Sequence, residues 1–215
     1  GILERNGGYA EYTTVLARQL VPVPENVAWP DAAACCDAGI TAVHAVDRGE
    51  VKPGETVVVI GIGGVGAVVT QRCKAAGARV VVVVLDEPRE RRALEMGADE
   101  VLNSRKVDVA EAVRKLTDGL GADCVMDVVG VEETMTYGMD SLRRGGRMVL
   151  VGYTDERYPL KGEQLDQNEL TIIGTRGGRM LDLRNTVRLV AEGAIKSVVT
   201  DLFPLEEANK ALAFV

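Results

Sequence analysis

At 215 residues, nearly half of them apolar, the chain is long enough to bury one large core and reads as a globular α/β protein. A net charge of −7 and an isoelectric point near 4.9 argue against nucleic acid and against an anionic membrane surface as partners. No apolar run approaches the ~18 residues needed to span a bilayer, and no basic-then-apolar leader opens the sequence, so a cytoplasmic protein is expected.

The opening stretch holds one expected strand, Tyr9 to Val15, followed by an extended segment punctuated by Pro22, Pro24 and Pro30. Pro30 and Asp31 suit the first turn of a short helix through Ala34, and Gly39 to Val46 reads as a second helical piece. Cys35, Cys36, Cys73 and Cys124 show neither CxxC nor framework spacing, so reduced thiols are expected. Adjacent Cys35 and Cys36 would point about 100° apart on a helix and make a poor chelating pair.

The centre of the sequence is ETVVVIGIGGVGAVVTQRCKAAGA, Glu55 to Ala78. Val57 to Ile60 run without polar alternation, as in a strand buried on both faces of a parallel sheet. Gly61, Gly63 and Gly66 then stand in G-x-G-x-x-G spacing, and apolar residues return at helical intervals. In this motif the first glycine permits a sharp turn, the second lets a pyrophosphate touch bare backbone, and the third lets helix and strand pack closely. Unpaired amides and the positive end of the helix dipole then hold the anion without a lysine. Two other phosphate-binding readings fail on residues. No Gly-Lys-Ser/Thr follows, as a nucleoside triphosphatase would need, and Val59 and Ile60 occupy the ground where an adenosyl-dependent methyl-transfer enzyme places an acid.

Beyond the glycines, strands are expected at Arg79 to Leu85, Glu100 to Leu102, Cys124 to Val129, Arg147 to Val151 and Leu170 to Gly174. Helices are expected at Arg89 to Met96, Val109 to Thr117 and Glu132 to Leu142, with a turn at Arg144 to Gly146 and a polar loop before Leu170. This alternation requires parallel strands joined by right-handed crossovers. The last part carries a helix through Leu183, Val187, Val190 and Ala191, a short strand near Val198 and Val199, and an amphipathic pattern still open at Val215. With Gly1 in place of Met, both ends suggest a piece of a longer polypeptide.

The ordered series GGYAEYTTV, LVPVPENV, DAGITAVHAV, VKPGETVVVIGIGGVG, MGADEVLN, GADCVMDVVG, LRRGGRMVLVG, ELTIIGTRGG and LVAEGAIKSVVTDLFPLEEANKAL resembles the medium-chain dehydrogenase/reductase family, the zinc-type alcohol dehydrogenases and their relatives. The resemblance implies an α/β doubly wound parallel sheet, a Rossmann domain over residues 38–179, flanked by pieces of a mostly missing catalytic domain at 1–37 and 180–215. It implies hydride transfer between a nicotinamide and an alcohol or carbonyl, with NAD or NADP as cofactor, zinc in the full-length protein, and a dimer joined at the last strand of the sheet.

The resemblance also assigns residues. Gly61, Gly63, Gly64, Val65 and Gly66 would hold the cofactor's pyrophosphate and neighbouring groups. Thr41, with Val65, would flank the nicotinamide, and Gly130, Val151, Gly152, Gly174 and Arg176 match positions at strand ends beside it. Asp37 matches a position that supplies a ligand to a catalytic zinc, a role a carboxylate fits; capping of a helix near Gly39 is the alternative, and Cys36 would serve if the register slips by one. The remaining ligands, a Cys and a His, would lie before Gly1. His44, the only histidine, reads as a structural residue, and no catalytic proton relay is assigned.

Cofactor choice turns on the end of the second long strand, where an NAD-binding acid is expected. Val84 occupies that site, and Asp86 two residues later is the nearest carboxylate, able either to reach a ribose or to cap the next helix. Arg89 matches a basic residue near the adenosine ribose. Asp86 would repel a 2′-phosphate, which favours NAD over NADP. Two rival readings remain: a zinc-free quinone or enoyl reductase of the same superfamily, and a dinucleotide-binding module without turnover.

Overall fold

The structure, a computed structural model, describes residues 7–158, 160–196 and 198–214. Gly1 and Val215, used above to judge the ends, lie outside the described residues. Six strands form one parallel sheet: β1 (Thr56–Ile60), β2 (Arg79–Val84), β3 (Glu100–Asn103), β4 (Ala122–Asp127), β5 (Leu142–Leu150) and β6 (Thr171–Gly174). Their order is β3-β2-β1-β4-β5-β6. The sheet therefore reverses direction of winding between β1 and β4, the place where ligands collect in such folds.

The valine runs expected as buried strands are buried. Val57 to Ile60 and Val80 to Val84 are at most 3% exposed, because helices cover both faces of the sheet. On one face lie α2 (Ile40–Arg48) and α3 (Gly64–Ala75), whose Ala42, Val46, Val69 and Cys73 pack with Val57, Val59, Val80 and Val82. On the other lie α5 (Val109–Leu116) and α6 (Glu132–Asp140), whose Val113 and Met139 pack with Val58, Val81 and Val125. Between β2 and β3 runs α4 (Glu87–Glu95). The helix α8 (Met180–Ala191) packs on α2, and Ile195 beyond it enters the same core.

Before α2, α1 (Trp29–Ala34) continues into a π-turn at Cys35–Gly39, so the two expected helical pieces form one nearly continuous rod. Cys35 is buried, and burial pushes its thiol up to about 11. Cys36 is exposed.

Four expectations need correction. Tyr9 to Val15 forms no strand: Tyr9 and Tyr12 are exposed, and no described strand lies beside them to complete a ladder. Val198 and Val199 form no strand either. The polar loop before β6 contains a short helix, α7 (Gly162–Asn168), whose only half-buried apolar anchor is Leu165. Arg144 to Gly146 lies inside β5 as an irregularity rather than before it, because Gly145 takes φ +69 and the register against β4 shifts there. The chain closes with a 3₁₀ turn (Leu205–Glu207) and α9 (Ala208–Phe214). Among the described residues no helix is long and apolar enough to cross a membrane.

Candidate dinucleotide site

At the carboxyl end of β1 the chain turns at Gly61, whose φ of +95 is accessible to few residues other than glycine. The Gly61 amide donates to the Val83 carbonyl at 2.9 Å, which ties the turn to β2. Gly63 caps α3, and the first helical bond runs from the Ala67 amide to the Gly63 carbonyl at 2.9 Å. The amides of Gly64, Val65 and Gly66 therefore start the helix without helical partners.

The three glycines differ in what surrounds them. A Cβ on Gly66 would lie 2.2 Å from the Gly61 carbonyl oxygen, so close packing of helix on strand turn requires its absence. A Cβ on Gly61 would lie 2.9 Å from a methyl of Val129. A Cβ on Gly63 would meet nothing within 4 Å. Its bareness serves no contact inside the protein; it leaves room beside the helix mouth.

That room is a cleft of about 520 Å³ bounded by Gly61 to Gly66, Val84, Leu85, Val128, Val129 and Tyr137. Its walls are mostly apolar, and Arg89 is the cation on its edge. The site therefore joins unpaired amides to an apolar slot, a combination suited to a phosphate-linked, flat aromatic ligand.

The residues assigned to the cofactor from the sequence divide into three groups. Gly61, Gly63, Gly64, Val65, Gly66 and Arg89 meet at this cleft. Asp86 does not line it: its Oδ1 accepts the Arg89 amide at 3.0 Å, capping α4, and its Oδ2 pairs with the Arg89 guanidinium. The Arg89 amide bond, and then the guanidinium, hold the Asp86 carboxyl below its usual range. Gly130, Val151, Gly152, Gly174, Arg176 and Thr41 lie outside this cleft's lining.

Those outlying residues are nonetheless organised. Gly130 takes φ +80, and a Cβ there would lie 2.5 Å from the Gly152 carbonyl oxygen, so the loops after β4 and β5 interlock. Val151 packs against the core. A Cβ on Gly178 would lie 2.6 Å from Ile40, so the segment after Gly174 and Arg176 lies against the start of α2, next to Thr41.

Asp37 is exposed in the π-turn and caps nothing; the residue at the start of α2 is Gly39, without a side-chain cap. Among the described residues no three His, Cys, Asp or Glu side chains are grouped so that they could hold a metal ion. They do not make a zinc site by themselves. His44 is structural in setting. Its Nδ1 lies 2.9 Å from Asp182 Oδ2 without hydrogen-bond alignment, and Asp182 is held by the Arg179 amide at 2.7 Å and guanidinium at 3.0 Å.

Sequence reasoning missed Asp127. It is wholly buried at the end of β4, and its carboxylate accepts from the amides of Val129 at 2.9 Å and Gly130 at 3.0 Å and from the Thr134 hydroxyl at 2.8 Å. Burial pushes its carboxyl up against the opposing pull of those bonds. The signal was present as a lone acid inside the apolar run CVMDVVG.

A family model described as zinc-binding dehydrogenase matches residues 64–192. An alcohol dehydrogenase of Geobacillus stearothermophilus is 37% identical over 204 residues, 95% of this chain and 60% of that protein. A D-arabinose 1-dehydrogenase (NADP(+)) of Saccharolobus solfataricus is 34% identical over 213 residues, 96% of this chain and 60% of that protein. Among solved structures, an NAD-dependent alcohol dehydrogenase superposes with a TM-score of 0.90 at 34% identity, covering 98% of this chain and 62% of that one. The chain belongs to the zinc-binding dehydrogenase family, the medium-chain dehydrogenases related to zinc-type alcohol dehydrogenases. It spans about 60% of the length of the curated relatives it matches.

Proposed function

We propose that this chain is the dinucleotide-binding part of an oxidoreductase that passes hydride between NAD(P) and an alcohol or carbonyl compound. The observation that carries this reading is the open space at Gly63 beside the unpaired amides that begin α3. Gly61 to Gly66 would receive the pyrophosphate, and Val84, Leu85 and Val129 would flank the adenosine half. Bound nicotinamide supplies the hydride acceptor or donor; the chain binds it, orients it and shields it with Thr41 and the strand ends at Gly130, Val151, Gly152, Gly174 and Arg176. We read residues 38–179 as this binding unit, with flanks that belong to a catalytic part.

NAD is the favoured cofactor. The Asp86 carboxylate, fixed against Arg89, places negative charge beside a cation that would otherwise attract a 2′-phosphate. Asp37 is proposed as one ligand of a zinc ion whose other ligands would come from outside the described residues. Self-association through β6 is supported by its position as the last strand of the sheet, hydrogen-bonded among the described strands to β5 alone. Size-exclusion chromatography across concentration tests it, and a monomer throughout would contradict it.

Titration with NADH, followed by nicotinamide fluorescence, tests the central reading. Saturable binding that is competed by NAD is expected. Absence of binding for the folded chain overturns it.

A further inference from the structure

We propose that Asp127 is a positioning residue of the dinucleotide site, its carboxylate fixing the 128–130 turn as the wall that faces the glycine loop. The inference rests on the dinucleotide reading above and goes one residue deeper into it. Asp127 is 0% exposed, and among the described residues no Lys, Arg or His forms an ion pair with it. A buried acid without a cation is costly, so its bonds must hold something in place. All three run forward along the chain: to the amides of Val129 and Gly130, and to Thr134 in the first turn of α6.

Those bonds set the position of two methyl-bearing walls. Val128 places a methyl 3.1 Å from where a Cβ of Gly61 would stand and 3.2 Å from that of Gly66, and Val129 approaches Gly61 still more closely. Val128, Val129 and Thr134 line the same cleft as the glycine loop. The main-chain oxygen of Asp127 also accepts the amides of Val151 at 2.9 Å and Gly152 at 3.0 Å, which fastens the loop after β5 to the same point. One residue thus joins the end of β4, the turn, α6 and the end of β5. An apolar replacement would leave two turn amides without acceptors, and the turn would reorganise to find water.

The geometry also says what can replace it. Asparagine keeps an oxygen for the two amides, and its amide nitrogen can donate to the Thr134 oxygen while that hydroxyl donates to the Val131 carbonyl, 2.9 Å away. Shape and acceptor are required, and the charge is not.

The test compares NADH affinity by fluorescence titration, well below each melting temperature, in wild type, Asp127→Asn, Asp127→Ala and Thr134→Val. Asp127→Asn is expected within about threefold of wild type, Asp127→Ala weaker by about tenfold or more, and Thr134→Val weaker by about threefold. A purely structural role would lower the melting temperature of Asp127→Ala and leave the affinity of its folded form unchanged; that result overturns the proposal. Should Asp127→Ala fail to fold, Thr134→Val with wild-type affinity overturns it instead. A folded wild type that binds no NADH refutes the dinucleotide reading and this proposal with it, whereas wild-type binding that survives Asp127→Ala refutes this proposal alone.

Discussion

Replacing Gly63 and Gly66 by alanine separates what the glycine loop does for the fold from what it does for the ligand. At Gly66 the new Cβ would lie 2.2 Å from the Gly61 carbonyl oxygen and 2.9 Å from its carbon, both backbone atoms that cannot rotate aside. Helix and turn must separate by about 1 Å to reach ordinary contact, a disturbance of the size that costs about 1–3 kcal/mol in overpacked cores. Alanine's better helix propensity offsets up to about 1 kcal/mol of this. A net loss of about 1–2 kcal/mol lowers the melting temperature of a chain this size by about 2–8 °C. At Gly63 the Cβ has nothing within 4 Å, and φ of −68 suits any residue. The remaining cost is alanine's poorer fit to a helix start, about 0.5–1 kcal/mol, or about 1–4 °C. Its methyl would instead stand where a pyrophosphate must approach, so NADH affinity should fall by about tenfold or more while the fold survives. Differential scanning fluorimetry and NADH titration of both variants give the comparison. A Gly63→Ala chain that binds NADH like wild type refutes the claim that this space is the phosphate site.

Three further outcomes follow from the same structure. Asp86→Asn keeps a good helix cap but removes the charge beside Arg89; the ratio of NADPH to NADH affinity should rise, and an unchanged ratio would contradict the role given to Asp86. Arg147 holds Glu55 through two bonds, at 3.1 and 2.6 Å, with both side chains about 15% exposed; Arg147→Met should cost about 3 kcal/mol and lower the melting temperature by about 6–12 °C, with part recovered in the Glu55→Gln double variant. Acid stability should follow the carboxylates. At Glu55 burial opposes the Arg147 and Lys52 bonds and loses to them, at Asp99 it loses to the Lys74 and Val80 bonds, and at Asp182 the Arg179 bonds dominate, so all three are held low when folded. Their contribution is complete above about pH 5 and is lost as pH falls. Asp127 runs the other way: its folded form holds the proton more tightly, so its contribution declines as pH rises through the ordinary carboxylate range. Melting curves from about pH 3 to 6 should fall on the acid side, less steeply for Asp182→Asn; an equal slope would contradict the assignment.

The sheet was legible because its strands are long unbroken valine runs and its turns carry glycines at fixed spacing. The same pattern implied parallel strands and the place of the glycine loop, since both follow from local periodicity. Tyr9 to Val15 has the right composition for a strand, but a strand exists only where another lies beside it, and composition does not supply the neighbour. The helix at Gly162–Asn168 was hidden because Leu165 alone of its residues packs on the core, so no 3.6-residue rhythm could show. Asp86 could be placed at the strand end but not aimed: cap and ribose contact ask for the same residue there, and the bond from the Arg89 amide that makes it a cap depends on a geometry the sequence does not display. Asp127 escaped because its side-chain partners lie within seven residues, in its own turn and the helix start after it, while the glycine loop that this turn faces follows another strand.

The π-turn at Cys35–Gly39 widens one coil of the rod that runs from α1 into α2. Geometrically it equals one extra residue slipped into an otherwise regular spiral, about 100° of rotation between the two ends. Excising a single position there would let the coil relax to regular pitch and swing Trp29, now facing solvent, onto a different side while α2 stayed packed. The direction in which the described segment before residue 35 leaves the sheet is thus written into five residues and depends on their number more than on their chemistry.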